Sequence, residues 1–112
     1  MKKVYGKQIK PPKILYHTSN PKNRKSVLKH GLIPRIGEQL YAKDYVKYKK
    51  AVYLSYAPWN STYDDDIWQI DTTKIKNKFV EDLNIQSGAI VTFTKVSKGA
   101  LKLIHKGTGE SE

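Results

Sequence analysis

A chain of 112 residues with 38% hydrophobic composition has room for one core, since a domain of this length buries roughly 60–70% of the surface its unfolded form exposes. The apolar residues come in short bursts broken by lysine, glycine and proline, none approaching the ~20 residues that span a bilayer, and the absence of cysteine excludes disulfides and thiolate metal sites. The basic start carries no apolar segment of signal-peptide length, so the expectation is a cytoplasmic protein with no membrane partner.

The net charge of +11 is uneven: residues 1–50 hold 14 Lys/Arg against 2 acids, whereas residues 51–112 hold 7 against 8. A basic first half predicts an acidic partner, with nucleic acid the first candidate, because lysines attract phosphates at long range and release counterions on binding. Only two of the 21 basic residues are arginine, which favours non-specific phosphate contact over bidentate reading of bases.

Along the chain, Pro11-Pro12 closes a polar leader, and Lys13-Ile14-Leu15-Tyr16-His17 reads as a buried strand. Asn20 as N-cap, Pro21 at the first helical position and Gly31 after the last turn predict a helix over 21–30, with Val27 and Leu28 as its inward face. Leu40, Tyr41, Tyr45 and Tyr48 recur at helical spacing among lysines and predict a short amphipathic helix whose tyrosines pack inward rather than stack on bases. Ala51 to Tyr56, Ile67 to Asp71, Ile90 to Phe93 and Leu101 to Ile104 read as strands, and the order of elements is an α+β pattern. One domain over 1–106 and a disordered tail over 107–112 follow.

Read for chemistry, a histidine ending a buried strand is more often structural than catalytic, although Thr18 and Ser19 beside His17 add hydroxyls suited to a ribose. The run Asp64-Asp65-Asp66 lacks the ligand spacing of a calcium loop and reads as a solvated turn, and His17, His30 and His105 show no zinc spacing. No metal is therefore expected.

Three segments together resemble a known family. Leu15-Tyr16-His17-Thr18-Ser19, then Val27-Leu28-Lys29-His30-Gly31-Leu32, then Lys50-Ala51-Val52-Tyr53-Leu54-Ser55 with Tyr63 ten residues after Tyr53, are similar in order and spacing to the ADP-ribosyltransferases of the diphtheria-toxin and poly-ADP-ribose-polymerase branch. Ile67 to Asp71 and Phe79-Val80-Glu81-Asp82 look like later segments of its small bacterial and phage members, so about four-fifths of the chain is covered.

The resemblance implies split sheets, with a short helix after the first strand, and NAD as the substrate whose ADP-ribose passes to a protein or nucleic acid acceptor. It places His17 on the nicotinamide-side ribose, the Thr18 backbone on the nicotinamide amide, Tyr53 and Tyr63 against the ring, and Arg35 near the adenosine half. Ser19 and Ser55 complete the binding set. At the start of the late strand, where the family carries a catalytic glutamate, this chain has Gln86, Ser87 and Gly88, which leaves Gln86 as the catalytic candidate beside His17 and Tyr53. Glu81 is the nearest glutamate and is expected in the preceding loop.

Size and the lysine-rich front suit a phage or bacterial effector. The alternatives are a non-catalytic module binding NAD, ADP-ribose, nucleic acid or protein, and an RNA 2′-phosphotransferase-like enzyme with Arg24 or Arg35 in its pocket.

Overall fold

Most of the strands form here because short apolar segments bury one or both faces between polar and turn-forming stretches. The computed structural model describes residues 5–35, 50–58, 65–83 and 90–108. Its strands are β1 (Tyr5–Ile9), β2 (Ile14–Ser19), β3 (Val52–Leu54), β4 (Asp66–Asp71), β5 (Phe79–Asp82), β6 (Ile90–Thr92) and β7 (Leu101–His105). They make two sheets, β1-β5-β6-β3 and β2-β4-β7, in which every described pairing is antiparallel. The result is a small mixed α/β domain.

The core lies between the inner faces, where Leu15, Trp68 and Ile70 of one sheet join Leu54, Phe79 and Ile90 of the other in one buried cluster. Burial of each such side chain contributes about 1.5–3 kcal/mol.

The helix forms where its punctuation predicts, in two stages. Asn20 accepts the Lys22 N–H through Oδ1 at 2.9 Å, a single 3-10 turn spans Pro21–Asn23, and α1 follows over Arg24–His30. Lys29 and His30 in the last turn complement the helix dipole. Only one row faces the body: Val27 is buried, while Leu28 is 57% exposed and not part of an inward face as its apolar character suggests. At seven residues, α1 is too short to present two rows to the sheets.

Two further readings change. The polar leader contains β1, which pairs with β5 through Ile9↔Phe79 and Gln8↔Val80. Glu81 stands inside β5 opposite Ile90, not in a loop, and its carboxylate accepts the Lys7 N–H at 3.4 Å over Gly6. The tyrosine-rich stretch from Leu40 to Tyr48, together with Tyr63 and Gln86, lies outside the described residues.

Connections between the sheets are tied by side chains. Thr72 Oγ1 donates to the Pro12 and Lys13 carbonyls at 2.6 and 2.9 Å, and Asn77 Nδ2 donates to Thr92 Oγ1 and to the carbonyls of Thr94 and Lys95 at 3.1–3.2 Å. Replacing Asn77 by alanine strands these acceptors, and the expected loss is about 1–2 kcal/mol, read as a lower urea midpoint with an unchanged slope.

Candidate functional site

Strand β3 exposes one edge to β6 and the other to three different partners. On that second edge, Ala51 exchanges both backbone hydrogen bonds with Arg35 at 2.9 Å, and Ser55 exchanges both with Tyr16 of β2 at 2.9 Å. Between them, the Tyr53 carbonyl meets not a backbone but the His17 ring, whose Nδ1 lies 2.7 Å away. In a continuing antiparallel ladder the pair after Tyr16↔Ser55 would be Thr18↔Tyr53. The imidazole instead stands in that gap as a wedge, and β2 and β3 part around it.

The wedge has a defined protonation. Burial is the largest influence on His17 and lowers its pKa from 6.5; the hydrogen bond to the Tyr53 carbonyl opposes this, and the charge of Arg35 lowers it further. The ring is therefore neutral at pH 7. A carbonyl oxygen has no proton to give, so Nδ1 carries the hydrogen and donates it to Tyr53, which leaves Nε2 as an acceptor. A neutral imidazole fixed this way can accept from a hydroxyl without bringing a charge.

Neighbouring groups follow from strand alternation. His17 shares its face of β2 with Leu15 and Ser19, whereas the Thr18 side chain points to the opposite face. Because Tyr16 gives its backbone groups to Ser55, those of Thr18, two residues on, also point to the β3 side and not to β4. The Thr18 amide and carbonyl thus line the parting of the strands, on the same side as Tyr53.

Two hydroxyls are committed to the scaffold. Ser19 Oγ accepts the Trp68 indole N–H at 3.0 Å, and Ser55 Oγ donates to the Ala57 carbonyl at 2.7 Å. Ser55 therefore serves as a turn-forming residue whose backbone N–H and carbonyl are bonded to Tyr16. Arg35 is exposed, with its charge felt at His17.

Arg24 and Asp66 are the pair that sequence reasoning missed. Asp66 is fully buried, and both its oxygens accept from Arg24, Oδ2 from Nε at 2.9 Å and Oδ1 from Nη2 at 2.7 Å. Gly107 closes the unit: its N–H donates to Asp66 Oδ1 at 2.8 Å and its carbonyl accepts Arg24 Nη2 at 3.0 Å. Burial raises the Asp66 pKa, but the bonds from Arg24 and Gly107 outweigh it and hold the carboxyl below its usual value. Asp66 is thus not part of a solvated turn, and Gly107, assigned from sequence to a disordered tail, is anchored.

The structure therefore brings His17, Thr18, Tyr53 and Arg35 to one parting between the sheets and ties Arg24 down elsewhere. Glu81 belongs to β5, which β6 separates from β3. Fold and site define a small, mostly antiparallel α/β domain with one short α-helix among the described residues and a neutral histidine wedged between its sheets. No protein-family model matches the chain, and no curated protein matches it in sequence. No helix among the described residues is long and apolar enough to cross a membrane.

Proposed function

We propose that the parting between β2 and β3 binds the nicotinamide–ribose half of NAD and that the protein is a mono-ADP-ribosyltransferase, passing ADP-ribose to a protein or nucleic acid acceptor. The observation that supports it is the His17 tautomer. With Nδ1–H committed to the Tyr53 carbonyl, Nε2 is an acceptor for a ribose hydroxyl. The Thr18 backbone supplies a donor and an acceptor for a carboxamide on the same side, and the family resemblance implies an aromatic contact from Tyr53 to the flat cation. Positive charge leaves the nicotinamide ring as the glycosidic bond breaks, so Gln86 can assist as a neutral hydrogen-bonding group at the ribose, with less electrostatic stabilisation than a carboxylate gives.

Incubation with labelled NAD in the presence of DNA, RNA and cell lysate tests the reading, with released nicotinamide and macromolecular label as readouts. Label is expected on one acceptor class, and His17→Ala is expected to lower NAD affinity about tenfold, the value of one well-made hydrogen bond. Affinity should fall as the pH drops through the lowered His17 pKa, at more acid pH than an ordinary imidazole would show, because protonation at Nε2 removes the acceptor. Intact NAD in every mixture, with no binding by calorimetry, would sink the proposal.

One observation favours a second reading, a binding module of the same fold without turnover. Glu81, the nearest glutamate to the late strand, turns its carboxylate to the Lys7 amide at the β1 edge. NAD or ADP-ribose bound tightly but never cleaved would select that reading. The phosphotransferase alternative loses Arg24, whose guanidinium is neutralised by Asp66.

A further inference from the structure

The net charge of −1 in the second half of the chain conceals a sorting of its charges in space. Three connections cross between the sheets with all their residues described: 10–13 from β1 to β2, 72–78 from β4 to β5, and 93–100 from β6 to β7. Strand register puts them at one end of the molecule, since Ile14 pairs with Asp71, Ile70 with Leu101, Ile9 with Phe79, and Val80 with Val91. Together they carry seven lysines and no acid.

All seven are exposed: Lys10 and Lys13 in the first connection, Lys74, Lys76 and Lys78 in the second, Lys95 and Lys98 in the third. The nearest acid among the described residues, Asp71, accepts the Thr73 amide and hydroxyl through Oδ1 and offsets part of the charge of Lys13 and Lys74, so the cluster keeps a large positive excess. Asp65 and Asp66 stand at the far end of β4, about 16 Å away by strand rise.

The cluster is held in shape by its backbone. Thr72 fixes the Lys13 carbonyl and Asn77 fixes the Lys95 carbonyl, so the three segments are bolted together at the residues that carry the charges. Lys76 and Lys78 flank the inward-turned Asn77 at a spacing of two, which in extended chain is about 6.6 Å. That is the order of separation between neighbouring phosphates along one nucleic-acid strand.

We propose that this end of the molecule is a docking surface for the phosphate backbone of a nucleic acid, read without base specificity. Lysines alone suit phosphates as point charges and lack the fork that arginine brings to bases. A nucleic acid is favoured over an anionic membrane because, among the described residues, the exposed large hydrophobic side chains, Leu28, Ile33, Tyr56, Leu83 and Ile104, all lie outside the three connections, whereas interfacial membrane binding needs apolar side chains beside the lysines. The surface is separate from the His17 parting and does not rest on the NAD reading.

Fluorescence anisotropy with labelled single-stranded and duplex oligonucleotides of mixed sequence tests it. The triple variant Lys74→Gln/Lys76→Gln/Lys78→Gln is expected to weaken binding of single strands at least about tenfold and to reduce the salt slope by about 2, as loss of three phosphate contacts requires. An equal charge change elsewhere, Lys7→Gln/Lys22→Gln/Lys25→Gln, should alter binding less than about twofold. Thermal melts confirm that both variants fold. Equal losses in the two variants, no binding of either nucleic acid, or lysine-dependent binding to phosphatidylserine vesicles alone would each overturn the proposal. His17→Ala should leave nucleic-acid binding unchanged, so failure here and failure of the NAD reading are told apart.

Discussion

Replacing Gly31 with alanine is expected to destabilise the fold by about 4 kcal/mol or more, lowering the melting temperature by about 20 °C. Gly31 ends α1 at φ 80° and ψ −165°, a conformation essentially confined to glycine. Strain is the smaller half of the problem. A Cβ built at this position would stand 2.2 Å from the Val96 carbonyl oxygen and 3.0 Å from the Lys98 nitrogen, both backbone atoms.

Val96 cannot retreat, because it exchanges both of its backbone hydrogen bonds with Leu32, the residue that follows the glycine. Relief of the overlap would break that bridge and move the core residues Leu32 and Val96 together. Gly99 is the natural comparison, since a Cβ there would meet nothing nearer than Ser97 Oγ at 3.9 Å. Gly99→Ala is expected to change stability by less than about 0.5 kcal/mol. Equal melting temperatures for the two variants would show that the close approach at Gly31 is not made in solution.

Gly31 also marks where sequence reading works well. Caps, helix-favouring proline and a terminal glycine act over a few residues, so Asn20, Pro21 and Gly31 bracket α1 without reference to the rest of the fold. The strands from Ile14, Val52, Ile67, Ile90 and Leu101 were legible for a similar reason: each has a run of apolar residues that stays apolar in any environment.

What stayed hidden depends on partners distant in the chain. Tyr5-Gly6-Lys7-Gln8-Ile9 has too few apolar residues to announce a strand, and becomes β1 only because β5, more than 70 residues on, offers an edge. Asp66 ends a run of three aspartates that reads as solvated, and what draws it inward is Arg24 on the helix, 42 residues earlier. A single buried carboxylate has no local signature; an arginine at the start of a helix with no acid in its first turn was the available hint.

At the site, His17 and Tyr53 were legible as residues but not as a unit. Nothing in the sequence says that the imidazole takes the place of a backbone rung on β3, because that follows from register, set by Tyr16 meeting Ser55. The same register turns the Thr18 backbone toward the parting and spends the Ser55 hydroxyl on a turn. The clustering of the connection lysines is likewise a consequence of topology: segments about 20 to 90 residues apart in the chain meet because each crosses between sheets at the same end.

Arg24→Met is expected to leave the Asp66 carboxylate buried without its guanidinium, at a cost of about 3–5 kcal/mol. The pair holds more than itself. Arg24 opens α1, Asp66 opens β4, and Gly107 follows β7, so one cluster joins three elements at the end of the sheet where β2 finishes.

Replacing both partners, as Arg24→Met/Asp66→Leu, should recover most of the loss, because apolar side chains need no counter-charge; the Gly107 amide, deprived of its acceptor, accounts for the remainder. A double-mutant cycle would return the coupling between the two residues.

Acid separates the two forms. In the native protein the Asp66 pKa lies below 3.8, so its contribution is complete above that value and is lost as pH falls through the lowered one. Removing Arg24 takes away its hydrogen bond and charge and leaves desolvation, the largest influence, opposed by the Gly107 amide and His105, so Arg24→Met should raise the Asp66 pKa from its native value and lose less stability than the native protein as the pH falls. Urea titrations at neutral and mildly acid pH read this directly. A variant whose stability falls with acidification in parallel with the native protein would mean that Asp66 reaches water once Arg24 is gone, and that the buried ion pair is not what ties helix, strand and C-terminal segment together.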